Sequence, residues 1–126
     1  MTPFHLDTDF LITAISEAGP ERRRLLELNA SAAPIHTSAV AWYEFARGPR
    51  TPEQLAVARF FIDDVVPFAD DLASRAADVF RKLGSPRRRA NDIAIGVTAA
   101  SANATLLTSN SRDFAGIPQL TVERPA

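Results

Sequence analysis

The sequence predicts a single α/β domain, with a largely parallel sheet of about five strands and helices on both faces. Three observations carry this. Short apolar runs of strand length alternate with stretches of helical periodicity from one end of the chain to the other. Capping residues (Ser, Thr or Asp) stand before the periodic stretches, and Gly or Pro follows them. The length, 126 residues, supports one real core, and no repeat, low-complexity tract or linker divides residues 1–126.

Phe4-His-Leu6 reads as the first strand, closed by Asp7. Thr8 or Asp9 is placed to cap a helix carrying Phe10, Leu11, Ala14 and Ile15, which Gly19-Pro20 ends. Pro20 suits the first position of a second helix, Glu21 to about Asn29, with Leu25, Leu26 and Leu28 as its apolar content. Ala33 to Thr37 reads as a second strand, after which Ser38 caps a helix containing Val40, Trp42, Tyr43, Glu44 and Phe45. Gly48-Pro49 stops it, and another helix starts near Thr51-Pro52 with Leu55, Ala58, Phe61 and Ile62 as its buried stripe.

Val65 to Phe68 is predicted as a third strand, its proline best placed at an edge. Asp70 or Asp71 opens a helix with Leu72, Ala76, Val79, Phe80 and Leu83 at helical spacing, ended by Gly84-Ser-Pro86. Asp92 heads a small-residue helix running to about Asn103, and Thr105 to Thr108 follows as a buried strand. Asn110, Arg112 and Asp113 occupy the loop beyond it, and Leu120 to Val122 forms a short last strand. Loops after the strands of such sheets form the binding edge, so Asp113 lies where function is usually found.

Composition excludes several classes. Lys and Arg total 14 against 15 acids, so net charge does not advertise long-range attraction to nucleic acid. All the cations but Lys82 are Arg, and they cluster at Arg22 to Arg24 and Arg87 to Arg89. Such runs suit bidentate contact with phosphate or serve as solvated helix ends. The absence of cysteine excludes disulfides, a thiolate nucleophile and Cys-ligated metal sites. His5 and His36 are too few for a His-rich metal site and are expected within strands. An acid follows the N-terminus too closely for a signal-peptide core, and no apolar run is long enough to span a bilayer. The expected location is the cytoplasm, where the Asn-x-Ser/Thr matches at Asn29 and Asn103 carry no meaning. The aromatics Trp42, Tyr43, Phe45, Phe60 and Phe61 are expected mostly in the core, with part left to face a partner.

The candidate chemistry rests on acids. Asp7 ends the first strand, Glu44 lies on the helix after the second, Asp92 opens the helix before the fourth, and Asp113 follows the fourth. Oxygen donors without Cys or His suit a hard cation, Mg²⁺ or Mn²⁺. Such a cation offsets carboxylate repulsion and lowers the pKa of a bound water, which points to phosphodiester hydrolysis. Each acid also has an ordinary reading: Asp7 as a cap, Glu44 as a surface residue, Asp92 as a helix-dipole partner and Asp113 as a turn former.

The elements Leu6-Asp-Thr-Asp9, Ser38-Ala-Val-Ala-Trp-Tyr-Glu-Phe-Ala-Arg-Gly48, Asn91-Asp-Ile-Ala-Ile-Gly-Val-Thr-Ala99 and Leu107-Thr-Ser-Asn-Ser-Arg-Asp-Phe114, then Ile117-Pro and Val122-Glu, resemble a PIN domain. More narrowly, they resemble the VapC-type toxins of bacterial toxin–antitoxin pairs. The resemblance spans almost the whole chain in order, and its last motif is the most specific. It implies a metal-dependent endoribonuclease using Mg²⁺ or Mn²⁺, a homodimer, and a cognate antitoxin that holds the enzyme inactive. Matched residue by residue, it implies that Asp7, Glu44, Asp92 and Asp113 form the catalytic, metal-binding cluster, with Asn110 or Ser109 as supporting polar contacts. The implied antitoxin groove is walled by helix 10–17, helix 21–29 and the helix of Trp42 to Phe45. Two departures stand out: the family more often has Asn where this chain has Asp9, and residues 87–89 are unusually rich in Arg.

Two competing readings remain. A haloacid-dehalogenase-like phosphatase also begins with Asp-x-Asp after a strand, but it needs a downstream Lys and a further acidic pair. Here Lys82 lies within a predicted amphipathic helix, and Asp113 lacks an adjacent acid. The same shortage argues against a receiver-like signalling module. The other reading is a catalytically silent PIN-fold binding module, which the presence of all four acids disfavours.

Overall fold

The structure, a computed structural model, describes residues 1–125. Five strands form one sheet in the order β3-β2-β1-β4-β5. In chain order the elements are β1 (Phe4–Leu6), α1 (Thr8–Ser16), α2 (Pro20–Ala30), β2 (Ile35–Ser38), α3 (Ala39–Ala46), α4 (Pro52–Phe61), β3 (Asp64–Val66), α5 (Asp70–Lys82), α6 (Ala90–Ser101), β4 (Thr105–Leu107) and β5 (Thr121–Glu123). Every neighbouring pair is parallel, with Leu6 opposite Thr37 on one side and Leu107 on the other. The predicted helices on both faces are present. Leu6, Ile35 and Leu107 point into a core with Phe10, Leu11, Leu25, Phe45 and Ala58. Leu106 faces the opposite core, with Ala76, Ile93, Val97, Phe114 and Ile117.

The chain builds outward from β1 to β2 and β3, then crosses to β4 and β5 on the other side of β1. The carboxyl ends of β1 and β4 therefore meet at the topological switch point of the sheet, where ligands bind in open α/β folds. Asp7 and the segment from Thr108 onward leave the sheet there.

Several boundaries differ from the sequence reading for local reasons. β2 runs from Ile35 to Ser38, not from Ala33, because Pro34 has no N–H for the ladder. β3 is an edge strand as expected, but it ends at Val66 before Pro67 and begins at Asp64. β5 is shifted to Thr121–Glu123. α6 begins at Ala90, behind a 3-10 turn formed by Arg87 to Arg89, which places Asp92 inside its first turn. Helix α1 is capped by Asp7 and not by Thr8 or Asp9.

Both His residues lie in strands as expected, opposite each other in register, and His5 is fully buried. The aromatic group divides. Phe45 is buried and Trp42 half-buried, whereas Tyr43 and Phe60 are 62% and 74% exposed. Among the described residues, no helix is long and apolar enough to cross a membrane.

Candidate active site

Asp7 is the centre of the acidic cluster, and the fold uses both of its oxygens. Because it follows β1 directly and caps α1, its Oδ1 accepts the Phe10 N–H at 2.7 Å. Its Oδ2 accepts the Thr108 hydroxyl at 2.5 Å, from the residue that follows β4. Thr108 Oγ1 in turn accepts the Asn110 N–H at 2.9 Å, so one hydroxyl orients Asp7 and shapes the start of the β4 loop. Burial pushes the Asp7 carboxyl from 3.8 up to about 7; the Thr108 and Phe10 hydrogen bonds pull the other way, and the charges of Asp9 and Asp92 add to the rise.

Asp92 stands half-buried in the first turn of α6, where the helix dipole favours a negative group. Its carboxyl is nevertheless raised to about 6, by burial first, then by the charges of Asp113, Glu44 and Asp9, with Arg89 opposing. Asp92 thus feels the charges of Asp113, Glu44 and Asp9, and Asp7 those of Asp9 and Asp92. Glu44, on α3, is held from two sides: Thr8 Oγ1 donates to its Oε1 at 2.7 Å and Asn91 Nδ2 to its Oε2 at 3.0 Å. Arg47 Nη2 lies 3.9 Å from the same Oε2.

Asp113 belongs to a 3-10 turn, Ser111 to Phe114. The turn is tied to the start of α6 by Arg89, whose Nε donates to the Asp113 carbonyl at 3.0 Å and whose Nη2 donates to the Ala115 carbonyl at 2.6 Å. Gly96 lets the following segment lie close against α6: a Cβ there would stand 2.5 Å from Ile117 Cδ1 and 3.3 Å from both Leu120 and Phe114. A side chain at Gly96 would force the Ile117 side chain to shift.

The supporting residues are placed less evenly. Asn110 Nδ2 donates to Asp9 Oδ2 at 2.8 Å, so it braces the cluster through Asp9. Ser109 turns away, donating to Glu21 Oε2 on α2 at 2.8 Å. Thr108 makes the contact with the acids that Ser109 was expected to make. Thr8, Asn91, Thr108 and Arg89 were not singled out from sequence. Each is an ordinary polar residue whose partner comes from a distant segment, although the adjacency of Asn91 to Asp92 and of Thr108 to a strand end offered a weak signal. Lys82, which a phosphatase would need beside Asp7, lines a different cavity with Arg75 and Val97.

Among the described residues, no three Asp, Glu, His or Cys side chains stand close enough together to hold a metal ion between them. The donor set still fits a hard divalent cation. It consists of carboxylates, and neither imidazole is among the groups acting on Asp7 or Asp92. A carboxylate offers about four lone-pair sites, so Asp7 keeps acceptor capacity after its two internal hydrogen bonds.

Known proteins place the chain. It is similar in fold to a Rickettsia felis VapBC2 complex bound to a promoter DNA fragment, with a TM-score of 0.75 and 21% identity over 98% of both chains. A toxin–antitoxin complex from Klebsiella pneumoniae gives a TM-score of 0.72 and 25% identity, covering 100% of this chain and 98% of that one. VapBC-1 from nontypeable Haemophilus influenzae gives 0.71 and 19% identity, covering 98% of each. No curated protein matches the sequence at a significant level. The profile of the PIN domain matches residues 5–120, from the first strand through all four acids to the edge of the last strand, and the chain belongs to the PIN domain family.

Proposed function

We propose that the protein is a Mg²⁺- or Mn²⁺-dependent endoribonuclease of the cytoplasm, the toxin of a toxin–antitoxin pair. The observation that carries this is the buried Asp7 carboxylate at the β1/β4 switch point, within reach of the Asp92 charge, with Asp92 in turn raised by the charges of Asp113 and Glu44. Asp7, Asp92 and Asp113 would hold the cation, with Glu44 contributing directly or through water. A bound divalent ion supplies a water of lowered pKa for attack on a phosphodiester. The chain's own residues supply orientation: Thr108 and the Phe10 N–H aim Asp7, Thr8 and Asn91 hold Glu44 between α1 and α6, and Arg89 fastens the Asp113 turn. The test is cleavage of RNA with and without Mn²⁺. Wild type should cut only with metal, and Asp7→Asn and Asp92→Asn should not cut; metal-independent cleavage would overturn the assignment.

The partner we propose is a small antitoxin protein, as in the complexes of similar fold. A mostly apolar hollow of about 90 Å³, lined by Ala14, Ile15, Leu25, Leu26, Val57 and Phe61 with Arg22, supports this. The hollow lies between α1, α2 and α4, beside the expected groove, and the helix of Trp42 to Phe45 does not line it. Leu26 and Val57 are 49% and 45% exposed at its rim, an apolar surface that a partner segment would cover. Co-expression with the product of the adjacent reading frame should relieve growth arrest, and failure to form a complex counts against the pairing. A homodimer is proposed from the apolar side chains that the helices expose, such as Tyr43 and Phe60. Light scattering at concentrations on the order of tens of micromolar, above typical μM dissociation constants, should show twice the monomer mass; monomer alone would refute it.

A further inference from the structure

The arginines divide into two populations. Of thirteen, eight are engaged within the fold by hydrogen bonds, ion pairs or stacking on aromatic rings, among them Arg22, Arg24, Arg47, Arg59, Arg81 and Arg89. Among the described residues, the other five have no ion pair or side-chain hydrogen bond: Arg23, Arg87, Arg88, Arg112 and Arg124. All five are exposed.

Their positions are not scattered. Arg88, Arg112 and Arg124 line one open cavity of about 430 Å³ with Ser109, Asn110 and Asp113. Arg124 also borders the next hollow, which Arg23 lines on α2. The three cavity arginines come from separate segments: the turn before α6, the turn after β4 and the residue after β5. The adjacency of β4 and β5 brings Arg112 and Arg124 together, and the Arg89 hydrogen bonds to the Asp113 and Ala115 carbonyls hold the Arg88 turn beside them. Three like charges gathered in one concavity with Asp113 as the one acid of its lining leave a net positive charge there, and an anion relieves their repulsion.

Asp113 is common to this cavity and to the acidic cluster, so any anion held here lies immediately beside the candidate metal site. Resting on the ribonuclease reading, we propose that the cavity binds a backbone phosphate of the RNA next to the scissile bond, and that Arg23 extends the track past β5. Guanidinium groups bind phosphate oxygens in pairs through a planar fork. The net charge of −1 cannot draw RNA to an acidic site, so a local cationic cradle is what attraction to the substrate requires. The volume lies within the roughly 300–1,000 Å³ of small-ligand sites, which suits one nucleotide of a single strand. The substrate backbone then leaves the acids toward the β5 edge of the sheet, away from Glu44.

The test is fluorescence anisotropy of a labelled single-stranded RNA in EDTA, where binding is read without cleavage, across a KCl series. The variant carries Arg88→Ala, Arg112→Ala and Arg124→Ala together. A matched control carries Arg75→Ala, Arg81→Ala and Lys82→Ala on α5, with the same change in net charge. Three lost phosphate contacts at ~0.7 each should make the salt slope shallower by about 2 and weaken binding by at least about tenfold at low salt. The control should keep the wild-type slope. Arg→Lys at the same three positions should keep it too, because lysine retains the charge. Mn²⁺ binding and the melting temperature of the cavity variant should match wild type, which separates substrate contact from damage to the acids. Equal losses from the two triple variants, or no loss from either while wild type binds RNA, would overturn this inference alone. If wild type neither bound nor cut any RNA, the ribonuclease reading would fall with it. Capture of poly-glutamate in place of RNA would assign the cavity to an acidic protein and equally overturn the proposal.

Discussion

Replacing Asp7 with Asn should stabilise the metal-free protein while abolishing RNA cleavage, and the stabilisation should depend on pH in a defined direction. Asp7 is 3% exposed, and its carboxyl is pushed from 3.8 to about 7, chiefly by burial. A carboxyl with a raised folded-state pKa leaves the native state holding more protons than the unfolded chain. Stability therefore falls as pH rises from 3.8 to about 7, and the whole penalty remains above that window. At ~1.4 kcal/mol per pKa unit, the ceiling is about 4 kcal/mol. Asn carries no charge, keeps an oxygen for the Phe10 N–H, and offers its amide to the Thr108 oxygen. The buried Thr108 hydroxyl then loses its acceptor, which costs about 1–2 kcal/mol. The net gain at about pH 8 is then roughly 2–3 kcal/mol, or on the order of 10 °C in Tm. Thermal melts of both proteins in EDTA at about pH 5 and about pH 8 test this, and most of the difference should vanish at the lower pH. Added Mn²⁺ should raise the Tm of wild type alone, because only wild type keeps the full ligand set. A variant no more stable than wild type at the higher pH, or a gap indifferent to pH, would refute the reasoning.

Three further outcomes are expected. Asp9→Asn should retain RNA cleavage, because an amide oxygen still accepts from Asn110, whereas loss from Asp7→Asn should exceed the roughly 10–100-fold typical of residues that orient metal ligands. Equal loss from both would make Asp9 a ligand in its own right. Thr108→Val removes the donor to Asp7 and the acceptor for the Asn110 N–H; Mn²⁺ affinity by titration should fall by about 10–100-fold, and an unchanged affinity would deny Thr108 an orienting role. His5 is buried with both ring nitrogens unpartnered, and its pKa is driven from 6.5 down to about 3 by burial and then by His36. The unfolded chain thus binds the extra proton between those values, and stability is lost as pH falls from 6.5 toward 3. His5→Leu should flatten that acid limb in urea midpoints, and an identical limb would show that His5 does not set it.

The sequence made the α/β class, the five strands and the helices on both faces legible, because these follow from local patterns. Apolar runs such as Thr105 to Leu107 and helical stripes such as Leu72, Ala76 and Val79 are written over a few consecutive residues. Strand ends were displaced where a single backbone group decided them, as at Pro34 and Pro67. The acids were legible through their places near strand and helix ends and through the motifs around them.

What held those acids was not legible. Thr108 and Asp7 are separated by 101 residues, Glu44 and Asn91 by 47, and Arg89 and Asp113 by 24. Hydroxyl, amide and guanidinium groups carry no periodicity, so nothing local marks which of many equivalent side chains will find a partner. The cap of α1 shows the same limit at short range: Asp7, Thr8 and Asp9 all have capping side chains, and Asp7 is the one whose backbone stays extended while its carboxyl accepts the Phe10 N–H. The Arg87 to Arg89 run is the sharpest case. Composition shows three identical charges, but the fold assigns Arg89 to backbone carbonyls, leaves Arg87 outside the basic cavity and directs Arg88 into it. The sequence alone determined which chemistry was present, since residue type sets what a group can donate, accept or ligate. Only the tertiary structure decided which of those groups meet, because strand order and helix packing bring together segments that the chain keeps far apart.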